Sequence, residues 1–155
     1  MYTKQEAAQI KRTFWTTLGQ YLAPIEGADG YKVNWLNYKT GFKDLYFRMD
    51  ADRTQASIQI EMMQSDADLR LLYYEQFMEV APILQQIVGE DWEWRQDVYN
   101  DLGQPMSTIG AQLTPVNIYQ SSDWPKMIAF LKPRMIALDE FWSVVSHRFT
   151  PLKSL

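Results

Sequence analysis

Residues 32–63 read KVNWLNYKTGFKDLYFRMDADRTQASIQIEMM, and the alternation in this stretch decides the fold class. Val33 and Trp35 alternate with Asn34 and Leu36. Leu45, Phe47 and Met49 alternate with Asp44, Tyr46, Arg48 and Asp50. Ala56, Ile58, Ile60 and Met62 alternate with Ser57, Gln59, Glu61 and Met63. Period two, with aromatic and β-branched residues on one parity, is the pattern of a strand buried on one face. The stretch is expected to form a three-strand antiparallel meander. Pairing Tyr38 with Phe42 leaves Lys39-Thr40-Gly41 as a loop, with glycine where a left-handed backbone is needed. That register sets Val33 opposite Phe47 and Trp35 opposite Leu45. A second turn around Ala51-Asp52-Arg53-Thr54 sets Phe47 opposite Ile58 and Leu45 opposite Ile60. A one-residue slip would turn every apolar side chain to the wrong face.

Helical spacing surrounds this stretch. Before it, Thr3 and Glu6 form a T-x-x-E capping box, followed by Ala7, Ile10, Phe14, Leu18 and Tyr21 on one stripe. After it, Ser65 and Asp68 resemble a second capping box, with Leu69, Leu72, Tyr73, Phe77, Val80, Leu84 and Ile87 as the buried stripe behind it. Gly89 is a helix stop, and Pro82 should kink or break that helix. Trp92 to Gln96 alternates as a strand, Asn100-Asp101-Leu102-Gly103 is turn chemistry, and Thr108–Leu113 and Val116–Tyr119 read as short strands. Pro125 then opens a last helix, lined by Ile128, Leu131, Met135, Leu138, Trp142 and Val145, which Pro133 should bend. The residues after His147 read as a loose tail. The expected order is α-β-β-β-α-β-β-(β)-α: an α+β fold with an antiparallel sheet and helices packed on one face.

The 155 residues suit one domain, 1–155, and 46% apolar with 14% aromatic residues is ample core material. The chain has no cysteine, so thiolate metal sites, a cysteine nucleophile and disulfides are excluded. The net charge of −4 disfavours direct nucleic-acid binding, which needs a basic surface. The first residues lack the basic and apolar pattern of a secretory signal, and no apolar run approaches the ~18 residues of a membrane span. A cytoplasmic location without membrane association is expected.

Chemistry is sparse. His147 is the single histidine and has no Ser, Cys or His partner motif around it, so no catalytic role is assigned to it. Trp92 and Trp94 fit core or interface packing better than a ligand cage. The second face of the meander is more informative. It carries Asn34, Tyr38, Tyr46, Arg48, Gln59 and Glu61, a mixture of aromatic, charged and amide groups of the kind that anchors interfaces. The expected register also sets Asp44 directly opposite Glu61. A helix followed by a meander is how metal-dependent nucleases of the PD-(D/E)XK type begin, with an Asp on the second strand and E-x-K on the third. Here the third strand reads Glu61-Met62-Met63, so methionine stands where that pattern has its lysine. Asp44 and Glu61 are thus weak catalytic candidates, with Mg²⁺ implied only under that reading. No metal or other cofactor is otherwise expected.

The ordered segments Phe14-Trp15, Asp44-Leu45-Tyr46-Phe47-Arg48, Tyr74-Glu75-Gln76-Phe77, Trp92-Glu93-Trp94, Asp123-Trp124-Pro125 and Leu138-Asp139-Glu140-Phe141-Trp142 resemble an uncharacterised bacterial family, a domain of unknown function common in Bacteroidetes. That family also occurs as the C-terminal part of proteins whose N-terminal part is nuclease-like. The resemblance implies a nucleic-acid-processing or defence setting and no catalytic residues. The residues favour a non-enzymatic interaction module that forms a homo-oligomer or docks a protein partner. The alternatives are a divergent nuclease-like domain, or a small-ligand binder with a cleft opened by Pro82 and Pro133.

Overall fold

The computed structural model describes residues 2–155. Its elements are α1 (Lys4–Leu22), β1 (Leu45–Ala51), β2 (Ala56–Met62), α2 (Ala67–Glu79), α3 (Ala81–Val88), β3 (Glu93–Tyr99), β4 (Pro105–Leu113) and α4 (Trp124–Val145), with 3-10 turns at Trp35–Asn37, Ser121–Asp123 and Ser146–Ser154. The four strands form one antiparallel sheet in the order β1-β2-β4-β3. This is an α+β fold, and it is not the expected meander.

The expected first strand does not exist. Asn34 Oδ1 accepts the Asn37 N–H at 3.2 Å and closes a 3-10 turn at Trp35–Asn37. A short amide side chain offers the backbone this local bond as an alternative to a ladder. Trp35 is buried, and its indole N–H donates to the Ile25 carbonyl at 3.1 Å. Tyr38 stacks on Phe47 at 5.3 Å from the core side, so it is no cross-strand partner of Phe42. Gly41 does take a left-handed φ of 83°, but in a loop that leads into β1.

The missing strand was expected beside β1, which is instead an edge of the sheet; β2 pairs on its other side with β4, with Ile60 opposite Ile109 and Ile58 opposite Ala111. Val116–Tyr119, expected as a strand, is irregular. It donates two backbone hydrogen bonds, from Val116 and Ile118, to the carbonyls of Thr54 and Asp52 in the β1–β2 turn.

The β1–β2 pairing keeps the expected faces but moves by two residues: Phe47 faces Ile60, and Leu45 faces Met62. The turn explains the shift. Asp52 Oδ1 accepts the Thr54 N–H at 2.8 Å, the Gln55 N–H at 3.0 Å and the Thr54 hydroxyl at 3.0 Å, which makes 52–55 the loop. The Thr54 N–H is the largest influence holding the Asp52 carboxyl below the usual carboxylate range. Asp52→Ala is expected to lower stability by about 1 kcal/mol, the size of a lost side-chain cap. A depressed folded-state pKa contributes stability above the unfolded value, near 3.9, and that contribution is lost as pH falls through the folded value. Urea midpoints at pH 7 and pH 3 should therefore differ less in the variant than in the wild type.

The capping box of α1 is present, with Glu6 N–H donating to Thr3 Oγ1 at 3.1 Å and Thr3 N–H to Glu6 Oε1 at 3.4 Å. At α2 the cap is Asp66, whose carboxylate accepts the Asp68 and Leu69 N–H groups, in place of the expected Ser65 box. Pro82 sits in the first turn of α3, and the expected single helix breaks at Val80, which ends α2 and begins α3. Pro133 lies inside α4, which continues unbroken through it.

One face of the sheet buries Leu45, Phe47, Ile58, Ile60, Met62 and Ile109 against the helices. The last residues are not a loose tail: Phe149 is fully buried, with ring centroids 4.5 Å from Phe77 and 5.0 Å from Trp142.

Candidate functional site

Alternation along the strands sends the other parity of side chains to the far side of the sheet. The registers line these up in rows across all four strands. One row is Tyr46, Glu61, Thr108 and Arg95, and the next is Arg48, Gln59, Gly110 and Glu93. A third begins Asp50, Ser57 and Gln112. Arg48, Asp50, Gln112, Glu93 and Arg95 are exposed, so this face is open.

Its β1–β2 half is a preorganised cluster. Arg48 Nη1 donates to Glu61 Oε1 at 2.8 Å, and Gln59 Nε2 donates to Glu61 Oε2 at 2.6 Å. The Arg48 guanidinium lies over the Tyr46 ring, 3.9 Å from its centre, where the ring quadrupole attracts it. Glu61 is only 8% exposed, yet both its oxygens are satisfied. Arg48 keeps 49% of its side chain exposed, so the cluster offers a fixed guanidinium to solvent.

Four of the six predicted surface residues, Tyr46, Arg48, Gln59 and Glu61, thus come together. The other two do not. Asn34 caps the 3-10 turn by α1, and Tyr38 lies on the core side, donating its hydroxyl to Asp139 Oδ1 at 2.6 Å. Asp44 is not opposite Glu61. Tyr46 occupies that position, and the Asp44 carbonyl accepts the Met63 N–H at 2.8 Å. Asp44 has φ 61°, which turns its backbone out of strand geometry. Its charge acts on the helix side of the sheet: burial first, then Asp44, raises the Tyr73 pKa. The Asp44–Glu61 pair imagined as a metal cradle therefore lacks its geometric premise.

Between the strands the open face sinks into a groove of about 500 Å³, floored by Ser57, Thr108 and Gly110. Gly110 is required there, because a Cβ would meet the Ile58 carbonyl oxygen at 2.8 Å and Gln59 Cβ at 2.7 Å. The rim carries Asp50, Glu90, Asp91 and Glu93 against a single Arg95. Glu93 pairs with Arg95 at 3.1 Å, and Glu90 with Arg134 at 2.6 Å. A hollow of about 170 Å³ adjoins the groove, sharing Glu90 and Asp91 and walled by Pro82, Trp92 and Trp94.

A further ion pair shapes the β3 end. Arg70 of α2 is 5% exposed and donates to Asp97 Oδ1 at 3.1 and 3.0 Å and to the Gln64 carbonyl at 2.6 Å. Asp97 sits in a bulge of β3 with φ 53°. Nothing in the spacing of Arg70 sets it apart from surface arginines. The groove residues of β3 and β4 were equally hidden, because their strands join the sheet through β2.

A family described as "Domain of unknown function (DUF4268)" matches residues 10–146. The chain belongs to this family. No curated protein and no solved structure gives a significant match. The stretch matched to DUF4268 contains all four strands, and hence every row of the open face. Among the described residues, no helix is long and apolar enough to cross a membrane, and no group of three or more His, Cys, Asp or Glu side chains could hold a metal ion.

Proposed function

We propose that this chain is a non-enzymatic interaction module that self-associates or docks a protein partner through the open face of its sheet. The observation that carries the reading is the Tyr46–Arg48–Glu61–Gln59 cluster. Arginine and tyrosine are the side chains that most often anchor interfaces, and here they are immobilised before any partner arrives. Immobilisation before binding lowers the entropy cost of association. The family resemblance adds a setting for this reading: a bacterial cytoplasmic protein that serves a nucleic-acid-processing or defence system through a protein contact.

Light scattering between micromolar and millimolar concentration tests the self-association arm. The expected result is a concentration-dependent dimer, weakened about tenfold or more by Tyr46→Ala or Arg48→Ala. Arg48→Ala leaves the nearly buried Glu61 carboxylate without its cation, so circular dichroism checks that each variant is folded, and Arg48→Lys, which keeps a cation there but loses the planar fork, serves as a second variant. A strict monomer across that range removes self-association.

A further inference from the structure

We propose that two copies of this chain pair antiparallel along the free edge of β1, with Met49 of each copy at the two-fold axis, so that their two four-stranded sheets become one; this rests on the self-association arm of the open-face reading. Backbone geometry leaves the edge available. The Asp44 carbonyl accepts the Met63 N–H, and the Asp52 N–H donates to the Gln55 carbonyl, so the even-numbered residues of β1 exchange their bonds with β2. The odd-numbered ones, Leu45, Phe47, Met49 and Ala51, direct their N–H and C=O groups outward. At the two ends of the strand this edge is plugged: the Thr40 hydroxyl donates to the Leu45 carbonyl at 2.9 Å, and Asp50 Oδ1 accepts the Ala51 N–H at 2.8 Å. Among the described residues, nothing hydrogen-bonds the outward groups of Phe47 and Met49 between those plugs.

The two edges of the sheet differ in how they are protected. β3, the other edge, carries a bulge at Asp97, where the register shifts between Arg95 and Val98. A bulge is one of the devices that keep an edge strand from pairing. β1 has no such device: its register runs unbroken from Leu45 to Ala51, with neither proline nor lysine in the strand. A regular edge of this kind is a template for another strand. Met49 belongs to the parity that faces the helices, yet it is only partly buried, so the apolar layer also stays open at the middle of this edge.

Charge complementarity selects the occupant and the register. Pairing about Met49 sets Arg48 of each copy directly opposite Asp50 of the other, in a non-hydrogen-bonded pair whose side chains approach closely. Both groups have capacity to spare. Among the described residues no cation pairs with Asp50. Arg48 engages only its Nη1, with Glu61 Oε1 and Met63 Sδ. Other registers fail. An axis at residue 48 sets arginine against arginine, and one at residue 50 sets aspartate against aspartate. An axis at residue 51 sets Asp50 against Asp52. Like charges directly opposite destabilise a strand pair. An axis at residue 47 needs the Leu45 carbonyl, which Thr40 already occupies. The strand is thus self-complementary in one register, and a second copy supplies that complement. As Arg48 of the second copy draws Asp50 away, the Ala51 N–H is released to donate to the Phe47 carbonyl across the axis.

The chain has no cysteine, so Met49→Cys gives one thiol per copy. Directly paired Cα atoms about 5.5 Å apart suit a disulfide. Mild oxidation should therefore link this variant into covalent dimers faster than Gln112→Cys, which lies on the open face of β4 and would link in a face-to-face stack. Light scattering should show the dimer weakened about tenfold or more by Asp50→Lys, which sets a cation against Arg48. Met49→Pro should do the same, because it removes the N–H at the axis and none of the bonds to β2. Circular dichroism checks that both variants are folded. Added salt should weaken the wild-type dimer. The edge pairing is overturned if Met49→Cys links no faster than Gln112→Cys, or if folded Asp50→Lys and Met49→Pro associate as the wild type does. If the edge variants give those results while Tyr46→Ala still breaks a dimer, the edge pairing falls and the open-face reading stands. A strict monomer up to millimolar concentration removes the edge pairing and self-association together.

Discussion

Replacing Phe149 with alanine is expected to destabilise the protein by about 3–5 kcal/mol, the range for emptying a buried aromatic site. Phe149 is fully buried although it lies in the last turn of the chain. Its ring meets those of Phe77 at 4.5 Å, Trp142 at 5.0 Å, Tyr73 at 6.1 Å and Phe42 at 6.2 Å. These partners come from α2, α4 and the loop before β1, so one ring closes three segments of the chain together. Trp142 is held from a second side, donating its indole N–H to the Thr40 carbonyl at 2.8 Å. The tightly packed surroundings cannot collapse into the space left behind, so the cavity contribution adds to the lost burial. Urea unfolding should show a lower midpoint with an unchanged slope. A loss under about 1 kcal/mol, the reach of a surface change, would mean that the aromatic cluster closes without the C-terminal turn.

Asp139→Ala is expected to cost about 3 kcal/mol, because it removes two charge-assisted hydrogen bonds at a buried site. Asp139 accepts the Tyr38 hydroxyl at 2.6 Å on one oxygen and the Ala28 N–H at 2.7 Å on the other. It thereby ties the loop between α1 and β1 to α4. Without it both donors are left unpaired next to the core. Tyr38→Phe removes only one of the two bonds and should cost about 1–2 kcal/mol. A double-mutant cycle between the two positions should show coupling, since they share a contact.

The same pair sets an alkaline limit. Burial first, and then the hydrogen bond and charge of Asp139, push the Tyr38 phenol far above its ordinary pKa. The folded state therefore holds a proton that the unfolded chain releases near pH 10. Its contribution is complete below about pH 10 and is lost as pH rises beyond that value. Stability measured from pH 9 to 11 should fall less steeply in Tyr38→Phe than in the wild type. Equal slopes would sink the assignment.

What the sequence disclosed divides along the distance over which each feature is determined. The Thr3–Glu6 cap, the break at Pro82, the Gly89 stop and the faces of β1 and β2 are set by neighbours within a few residues, and they were legible. So was the grouping of Tyr46, Arg48, Gln59 and Glu61, which follows from parity alone and survives a register shift of two. Val33 to Leu36 misled because four alternating residues fit a capped 3-10 turn as well as a strand. The two-residue shift depended on the Asp52 carboxylate, a side-chain bond that hydrophobic patterning does not weigh. The partnership of β2 with β4, the Tyr38–Asp139 bond and the burial of Phe149 are contacts between distant parts of the chain. Apolar strands of similar composition left the choice of neighbour for β2 open. The groove lay beyond reach for the same reason, since Glu93 and Arg95 of its rim come from β3.

The strand order has a kinetic corollary. β1–β2 and β3–β4 are hairpins that close over short turns, whereas β2 and β4 can meet only after α2, α3 and β3 have been brought round. Closing a long loop before its contacts form is the slow step in chains of this kind. Every row of the open face is split by that seam, with Tyr46, Arg48 and Asp50 on one hairpin and Arg95 and Glu93 on the other. A partially folded chain therefore carries two unmatched half-surfaces, and the complete face exists only in molecules in which the last seam has zipped.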